Sequence, residues 1–273
     1  MSPEIEAVKE IVKANATAVY EDSAQPSVRV LGKTLAQCTS LFATPVGRMA
    51  EIFEKNIHKY IDKLDGLKEE EIVPPDTRIL VPILEKLRYT DDDMVADYYA
   101  EILATASRPE GKKLVSVSFI EILNRLCADE LKILEFINSS ANALLLEDQE
   151  GGKYKAEFKG VLPVVNVHVV QRGGGYIVAV KNLTYLPQMI EMDSSTNFNM
   201  YLDNMSALGL VLKPAMISAH DKNIYKYIKK HPIISKVESQ LGEGQSIDYS
   251  EARFELTELG RQLLSIASKN DKS

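Results

Sequence analysis

The spacing of apolar residues changes near residue 150, and this change limits the folds that the chain can adopt. Before it, apolar residues recur every three or four positions, as in residues 79–87, a period that predicts amphipathic helices. After it, Val165, Val167 and Val169 alternate with polar residues, which predicts a β-strand. We therefore predict a mainly α, α+β protein, with an N-terminal helical bundle followed by a winged-helix-like domain that contains a small antiparallel sheet.

The charge changes at the same place. Residues 1–150 carry a net charge of −10 and residues 151–273 one of +3. Residues 147–152 between them are polar and end in two glycines, as is typical of a stretch that joins two periodic segments. We therefore predict a helical domain at residues 1–148 and a winged-helix-like domain at residues 149–273.

In the first half, proline and capping residues divide the apolar pattern into helices. A helix is predicted at residues 2–21, two helices or one kinked helix at residues 31–64, and a kinked helix with Pro82 inside it at residues 79–87. Thr90 precedes Asp91–Asp93, so we predict that its hydroxyl caps the next helix and that the acids lie in the first turn, where the helix dipole favours negative charge. The predicted core of this half consists of seven side chains: Leu80, Leu84, Leu87, Tyr98, Ile102, Leu123 and Leu126.

In the second half, a glycine-rich turn at residues 172–175 joins the valine-rich strand to a strand at residues 176–183, which predicts a hairpin. A helix that ends at Gly209, a lysine-rich loop at residues 213–245, a last strand and a last helix are predicted to follow. Counted from the helix that starts near residue 129, the order helix, strand, helix, helix, strand, loop, strand is that of a winged-helix module.

Composition excludes several classes of protein. Of the 273 residues, 45% are hydrophobic, which excludes a disordered or collagen-like chain. The first twenty residues lack the pattern of a secretory signal, and no uncharged stretch approaches the ~20 apolar residues of a membrane-spanning helix. Cys38 and Cys127 are far apart in the sequence and are interpreted as reduced thiols. We therefore predict a cytoplasmic protein with no membrane span.

No pattern in the sequence predicts catalysis. Gly32-Lys33-Thr34 matches the end of a phosphate-binding loop, but no strand precedes it and Ser27 stands where the first glycine is required. The four histidines lack the spacing of zinc ligands. Ser218, His220 and Asp221 are adjacent in sequence, whereas the members of a catalytic triad meet in space. We therefore predict a protein that is not an enzyme and that has no cofactor and no metal site.

Two segments bear on nucleic-acid binding, which the winged-helix prediction raises. Residues 182–212, where a recognition helix would lie, contain three acids and no lysine or arginine, so phosphate would be repelled. Residues 213–236 contain six lysines and a single acid, Asp221. These lysines could contact a nucleic-acid backbone without sequence preference, or they could simply be solvated. The candidate nucleic-acid-binding residues are Lys222, Lys226, Lys229 and Lys230.

A further set of sequence blocks is residues 32–35, 45–47, 72–75, 81–90, 99–104, 119–123, 129–134, 202–205, 208–210 and 256–261. Together they resemble the abortive infection alpha family of bacteria, and the most specific block is Pro82–Thr90. The resemblance implies a cytoplasmic bacterial protein that confers phage resistance by halting infected cells, with no established catalytic residues.

Three hypotheses about function follow. The first is a non-enzymatic sensor or effector of phage defence that acts through contacts with a protein partner. The second is a winged-helix nucleic-acid-binding regulator that uses the basic loop at residues 213–236. The third is attachment to a membrane surface by a helix at residues 30–53, which has a broad apolar face but few cations. The oligomeric state is left open.

Overall fold

The computed structural model of the chain describes residues 48–139, 143–147, 153–157, 160–215 and 222–267. It is a mixed α+β structure, rich in helix and with a small four-stranded antiparallel sheet, as predicted.

The chain divides into two compact units. Among the described residues, those at 48–128 and 265–267 form one unit, called the helical unit below. The described residues between 129 and 264 form the other, called the mixed unit. The predicted boundary between residues 148 and 149 lies outside the described residues and stays a prediction.

The helical unit is built from amphipathic helices. All seven predicted core side chains are buried in it, and Leu84, Leu87, Ile102 and Leu123 are completely inaccessible to solvent. Pro82 lies inside a helix, as predicted. The predicted helix at residues 2–21 and the first part of the segment at 31–64 lie outside the described residues. The helices are α1 (Arg48–Leu64), α2 (Thr77–Leu87), α3 (Asp93–Ala106) and α4 (Val117–Leu123), with short 3-10 turns at Glu69–Glu71 and Gly111–Lys113.

The cap of α3 differs from the prediction. Asp92 is the N-cap residue, and its Oδ1 accepts a hydrogen bond from the Val95 backbone N–H at 2.9 Å. The predicted cap, Thr90, is wrong, because its hydroxyl instead donates to the Lys86 carbonyl at 2.8 Å and so belongs to the end of α2. The helix therefore begins two residues later than a Thr90 cap would require, and the Asp92 carboxylate meets the positive end of its dipole.

Ion pairs join α3 to α1. Lys55 and Lys59 both contact the Asp93 carboxylate, at 2.7 and 3.2 Å, and Lys63 contacts Glu101 at 2.9 Å. Hydrogen bonds from Lys55 and Lys59 lower the pKa of Asp93 below its usual value. The acids of α3 thus lie opposite lysines spaced one helical turn apart on α1.

The mixed unit is built around an antiparallel sheet. Strand β3 pairs along its whole length with β6, with Val165 opposite Glu251, and β4 and β5 form the two edges, in the order β4-β3-β6-β5. The predicted hairpin is confirmed as β3 and β4. The elements are α5 (Ala128–Asn138), β1 (Ala143–Glu147), β2 (Lys153–Glu157), β3 (Val161–Gln171), β4 (Tyr176–Leu183), α6 (Leu186–Met189), a 3-10 turn (Ser195–Asn197), α7 (Phe198–Ala207), β5 (Val211–Leu212), α8 (Asn223–Ile228), α9 (Pro232–Ser239), β6 (Gln245–Leu256) and α10 (Glu258–Ala267).

The predicted lysine-rich loop at residues 213–245 is wrong, because α8 and α9 lie within it. Ile224, Tyr225 and Ile228 occupy one side of α8 and are buried with Val165 and Val167 of the sheet. Burial of this apolar side supplies the free energy that turns a lysine-rich segment into a helix.

Candidate nucleic-acid interface

The four candidate lysines gather around the short helix α8. Lys226 lies on the helix, Lys222 immediately precedes it, and Lys229 and Lys230 immediately follow it. Lys222, Lys226 and Lys230 are exposed and are spaced four residues apart, so they lie on the side of the helix that faces away from the buried Ile224 and Ile228. The structure therefore brings the predicted residues together.

Glu251 of β6 neutralises part of this cluster. Its two carboxylate oxygens contact the Nζ atoms of Lys222 at 3.3 Å and Lys229 at 2.8 Å. The Glu251 side chain is only 26% exposed. Burial by itself would raise the pKa of Glu251, but the hydrogen bonds from Lys229 and Lys222 outweigh it, so that the pKa lies below its usual value. Two of the four candidate lysines thus form a partly buried ion triplet with a carboxylate.

Aromatic rings further restrict the two paired lysines. The Lys222 ammonium lies 5.5 Å from the centroid of the Tyr225 ring, and that of Lys229 lies 5.2 Å from the Tyr249 ring. Such cation–π contacts attract a cation to the ring face. Lys226 and Lys230 form no ion pair with any residue that the structure describes. They are the two lysines of the cluster with the fewest constraints.

We expect Glu251 to make stability depend on pH. A carboxylate whose pKa is lowered in the folded state stabilises the protein above its unfolded pKa, and this stabilisation is lost as the pH falls through the folded pKa. Glu251→Gln should therefore lower the free energy of unfolding at pH 7 by about 1 kcal/mol or less. The difference between variant and wild type should shrink at a pH below the ordinary glutamate pKa of about 4.3. Urea unfolding at pH 7 and at acidic pH would test this, and an equal difference at both would contradict it.

The segment predicted to hold a recognition helix contains α6 and α7. Of its acids, Asp203 pairs with Lys181 at 3.1 Å, whereas Asp193 lies 3.8 Å from Lys132. Asp203 and Asp193 remain largely exposed. This surface therefore presents carboxylates, which repel phosphate.

Among the described residues, the other side chains singled out in the sequence do not come together in a catalytic or metal-binding arrangement. The described residues contain no cluster of three or more histidine, cysteine, aspartate or glutamate side chains that could hold a metal ion. His231 caps α9 by accepting the Ile233 N–H at 3.2 Å, and His168 stacks on Tyr176 with ring centroids 4.5 Å apart. Gly32-Lys33-Thr34, together with Ser218, His220 and Asp221, lies outside the described residues, as does Cys38; Cys127 is exposed.

An apolar cleft opens beside α6 and α8. The space inside it, about 10 Å³, is roughly what a single water molecule needs. It is lined by Phe136, Leu162, Pro163, Thr184, Tyr185, Leu186, Met189, Ile224 and Ile228. The lining contains two side chains with hydroxyl groups, Thr184 and Tyr185, and no charged side chain. The cleft is therefore a small gap in the packing of apolar side chains.

Two of the sequence blocks that carry the family resemblance meet at the N-terminus of α5. Asp129 is buried, and its carboxylate accepts the backbone N–H groups of Asp193 at 2.9 Å and Ser194 at 3.0 Å. The neighbouring Glu130, also buried, accepts a hydrogen bond from Asn204 Nδ2 at 2.6 Å. The Glu130–Asn204 hydrogen bond therefore joins the blocks at residues 129–134 and 202–205, which is a structural role.

Two more of these blocks meet where β6 leads into α10. The Thr257 hydroxyl donates to the Gly209 carbonyl at 2.6 Å and accepts the Gly260 N–H at 3.0 Å. A Cβ atom on Gly260 would lie 2.3 Å from the Leu210 carbonyl oxygen, so only glycine fits. Gly209 has a φ of 72°, in the left-handed region that glycine adopts without steric cost. Residues 208–210 and 256–261 are thus matched by close packing of the backbone.

A model of the family described as abortive infection alpha matches residues 49–267, which is most of the chain. The chain belongs to the abortive infection alpha family. The family resemblance is thereby confirmed, whereas the blocks at residues 32–35 and 45–47 lie outside the matched range. In this member of the family, the blocks at residues 129–134, 202–205, 208–210 and 256–261 support the fold of the mixed unit.

Comparison with individual proteins adds little to the family assignment. No curated protein matches the sequence significantly. A solved structure that shows some similarity is that of an uncharacterized protein from the hydrocarbon-degrading marine bacterium Alcanivorax borkumensis SK2. The two are 14% identical, the match covers 55% of this chain and 91% of that chain, and the TM-score is 0.30, too low to indicate a shared fold.

The sequence predicts that the chain has no membrane span. Among the helices that the structure describes, none is both long enough and apolar enough to cross a bilayer. Most of the segment at residues 30–53, the basis of the membrane-surface hypothesis, lies outside the described residues.

Proposed function

We propose that this member of the abortive infection alpha family is a non-enzymatic, cytoplasmic sensor or effector of bacterial phage defence that acts through protein contacts. The family supplies the link to abortive infection. The observation that carries the mode of action is the surface of the β3–β4 hairpin. Tyr176, Ile177 and Val178 are 62%, 61% and 52% exposed.

Exposed apolar residues in succession favour a protein partner over a nucleic acid. Residues 173–180 include neither acid nor base, although Arg172 at the start of the turn is exposed. The three apolar side chains therefore bring no cation of their own with which to bind phosphate. Contiguous exposed apolar side chains are typical of surfaces that bind proteins. We call Tyr176, Ile177 and Val178 the apolar edge.

The alternative is a winged-helix nucleic-acid-binding regulator. It is supported by the winged-helix-like order of elements that the sequence predicts and by the exposed Lys226 and Lys230. Against it stand the net charge of −7 and the pairing of Lys222 and Lys229 with Glu251. Tight phosphate binding requires several cations that are free to replace counterions, and the paired lysines are less able to do so.

Substitution of the lysines separates the two functions. We expect the triple variant Lys226→Glu/Lys229→Glu/Lys230→Glu to retain protection against a phage that the wild-type protein restricts, because protein contact at the apolar edge does not use these lysines. We also expect the wild-type protein to bind no labelled duplex near physiological salt. Plaque counts and duplex titration measure the two outcomes.

Two further variants sharpen this test. Lys226→Glu/Lys230→Glu leaves both ion pairs of Glu251 intact, so a loss of protection seen only in the triple variant would reflect damage around Glu251. Glu251→Gln releases Lys222 and Lys229 and should increase any phosphate binding. Duplex binding by the wild-type protein that weakens steeply with salt, is strengthened by Glu251→Gln and is lost with protection in the double variant would overturn the preferred function.

A further inference from the structure

His231 lies at the junction between α8 and α9. Its backbone N–H donates to the carbonyl of Ile228, the last residue of α8, at 3.0 Å, and its carbonyl accepts the Ile234 N–H of α9 at 2.9 Å. The ring adds a further hydrogen bond, in which Nδ1 accepts the Ile233 N–H at 3.2 Å. His231 is thus the N-cap residue of α9, and its ring satisfies a backbone donor that has no acceptor within the helix.

This cap requires that Nδ1 carries no proton. In a neutral imidazole one ring nitrogen accepts and the other donates, whereas in an imidazolium both donate. Because Nδ1 accepts from Ile233, the single proton of the neutral ring lies on Nε2. A proton on Nδ1 would point one N–H group at another. It would also place a positive charge at the N-terminus of α9, where the helix dipole is itself positive.

Tyrosines and lysines surround the ring. The His231 ring packs on Tyr185 with centroids 4.8 Å apart, and Tyr185 packs on Tyr227 at 4.7 Å. Both tyrosines are neutral near pH 7. Among the described residues, no acid forms an ion pair with His231. The charged side chains on α8, on α9 and between them are Lys226, Lys229, Lys230, Lys236 and Glu238, and α6 carries none.

These surroundings favour the neutral ring. Burial lowers the pKa of His231 below its ordinary value. Four of the five charged neighbours are lysines, and Glu251 of β6 is already paired with Lys222 and Lys229. The form that the fold stabilises is therefore the one that the cap requires.

We propose that His231 is a pH-sensitive cap, and that protonation of its ring promotes release of the first turn of α9 from α8 and from the sheet. Ile234 in that turn is buried with Val165 of β3, and Ile233 packs against the same core. Release therefore exposes apolar side chains that neutral pH keeps covered. This inference goes beyond the proposed function, because it concerns α9 and not the apolar edge.

Proton linkage gives the direction and the size of the effect. When α9 opens, the pKa of His231 returns to the ordinary histidine value of about 6.5, so the open form binds a proton more tightly than the closed form. The contribution of the cap is fully present above this unfolded pKa and is lost as the pH falls through the lower, folded one. One pH unit below 6.5, proton binding favours the open form by at most about tenfold.

Hydrogen–deuterium exchange of the full chain, followed by mass spectrometry, tests the release at pH ~7.5 and ~5.5, one unit above and one unit below the ordinary histidine pKa. His231→Asn is the matched control, since asparagine is a good N-cap residue and its amide does not titrate in this range. Comparing the two proteins at each pH cancels the intrinsic effect of pH on exchange. We expect the exchange rate of α9 in the wild type, relative to His231→Asn, to rise severalfold and by up to about tenfold at the lower pH.

His231→Ala removes the cap at every pH. Its α9 should exchange roughly fivefold faster than that of the wild type at pH ~7.5, which is the usual worth of an N-cap side chain. Its exchange relative to His231→Asn should not depend on pH. A wild-type ratio that stays constant between the two pH values would overturn the proposal. Exchange that quickens in β3 and β6 as much as in α9 would overturn local release.

A proton NMR titration of the wild-type histidine rings needs no variant. The ring signal of His231 is recognised by its contact with the Tyr185 ring, 4.8 Å away. We expect this signal to titrate with a pKa below the ordinary value of about 6.5. Titration at or above that value would show that the fold does not favour the neutral ring, and the proposed cap would be wrong.

Discussion

Leu84→Ala is expected to lower the free energy of unfolding by about 2–5 kcal/mol, the range for removing a fully buried leucine side chain. Leu84 is completely inaccessible to solvent in α2, on the same side of the helix as Leu80 and Leu87. The loss has two sources, the transfer of apolar atoms to water and the cavity that surrounding side chains cannot fill. Leu123→Ala, at an equally buried residue of α4, should have a loss in the same range.

A leucine on the surface provides the matched control. Leu114 is 63% exposed, and its replacement by alanine should change the stability by no more than about 0.5 kcal/mol. The chain contains no tryptophan, so urea unfolding is best followed by circular dichroism. Changes below half a kilocalorie at both Leu84 and Leu123 would show that the buried faces of α2 and α4 are wrongly assigned.

Features that depend on neighbours in the sequence could be predicted from it. The apolar stripe of α2 repeats every three or four residues, and Pro82 within it did not prevent a correct prediction because the stripe continues on both sides. The hairpin of β3 and β4 could be predicted equally well, since alternating valines and the glycine turn at residues 172–175 are local signals.

The α8 helix could not be predicted by the same means. Residues 213–236 contain six lysines, and a helix of six residues such as α8 contains too few apolar positions for a periodic signal. Ile224, Tyr225 and Ile228 were nevertheless at helical spacing, and Pro232 stands at the start of α9. The reason that they form helices is tertiary, because their buried sides pack on Val165 and Val167 of a distant strand.

The chemistry of the candidate lysines also depends on distant residues. Glu251 follows Lys222 by 29 residues and Lys229 by 22, and only the position of β6 beside α8 makes it their partner. A count of charges over residues 213–236 therefore overstates the cationic character of the folded surface. The effect favours protein contact over nucleic-acid binding, because Glu251 lowers the net charge of the four-lysine cluster from +4 to +3 and holds two of its lysines in ion pairs.

Asp129 gives the second large expected effect. Its buried carboxylate holds the chain between α6 and α7 by accepting the backbone N–H groups of Asp193 and Ser194. Burial by itself would raise the pKa of Asp129, but these two hydrogen bonds, together with Lys132, lower it below its usual value. The ionised form is therefore the one that the fold stabilises.

Asp129→Ala should lower the free energy of unfolding by roughly 2–4 kcal/mol, because it leaves two partly buried donors without an acceptor and removes hydrogen bonds to a charged group. Asp203→Ala is the control. It removes a surface carboxylate that pairs with Lys181, and such pairs contribute ~0–1 kcal/mol. Urea unfolding of the three proteins at neutral pH measures both effects, and equal losses would contradict the buried role of Asp129.

Asp129→Asn tests whether charge or shape matters at this position. The amide has the shape of the carboxylate but a single acceptor oxygen, so the variant should lie between wild type and Asp129→Ala in stability at pH 7. The carboxylate with the lowered pKa stabilises the fold above the unfolded aspartate pKa of about 3.9, and this contribution is lost as the pH falls through the folded value. The gap between wild type and Asp129→Asn should therefore narrow on acidification. A gap that stays constant from neutral to strongly acidic pH would mean that Asp129 acts by its shape alone.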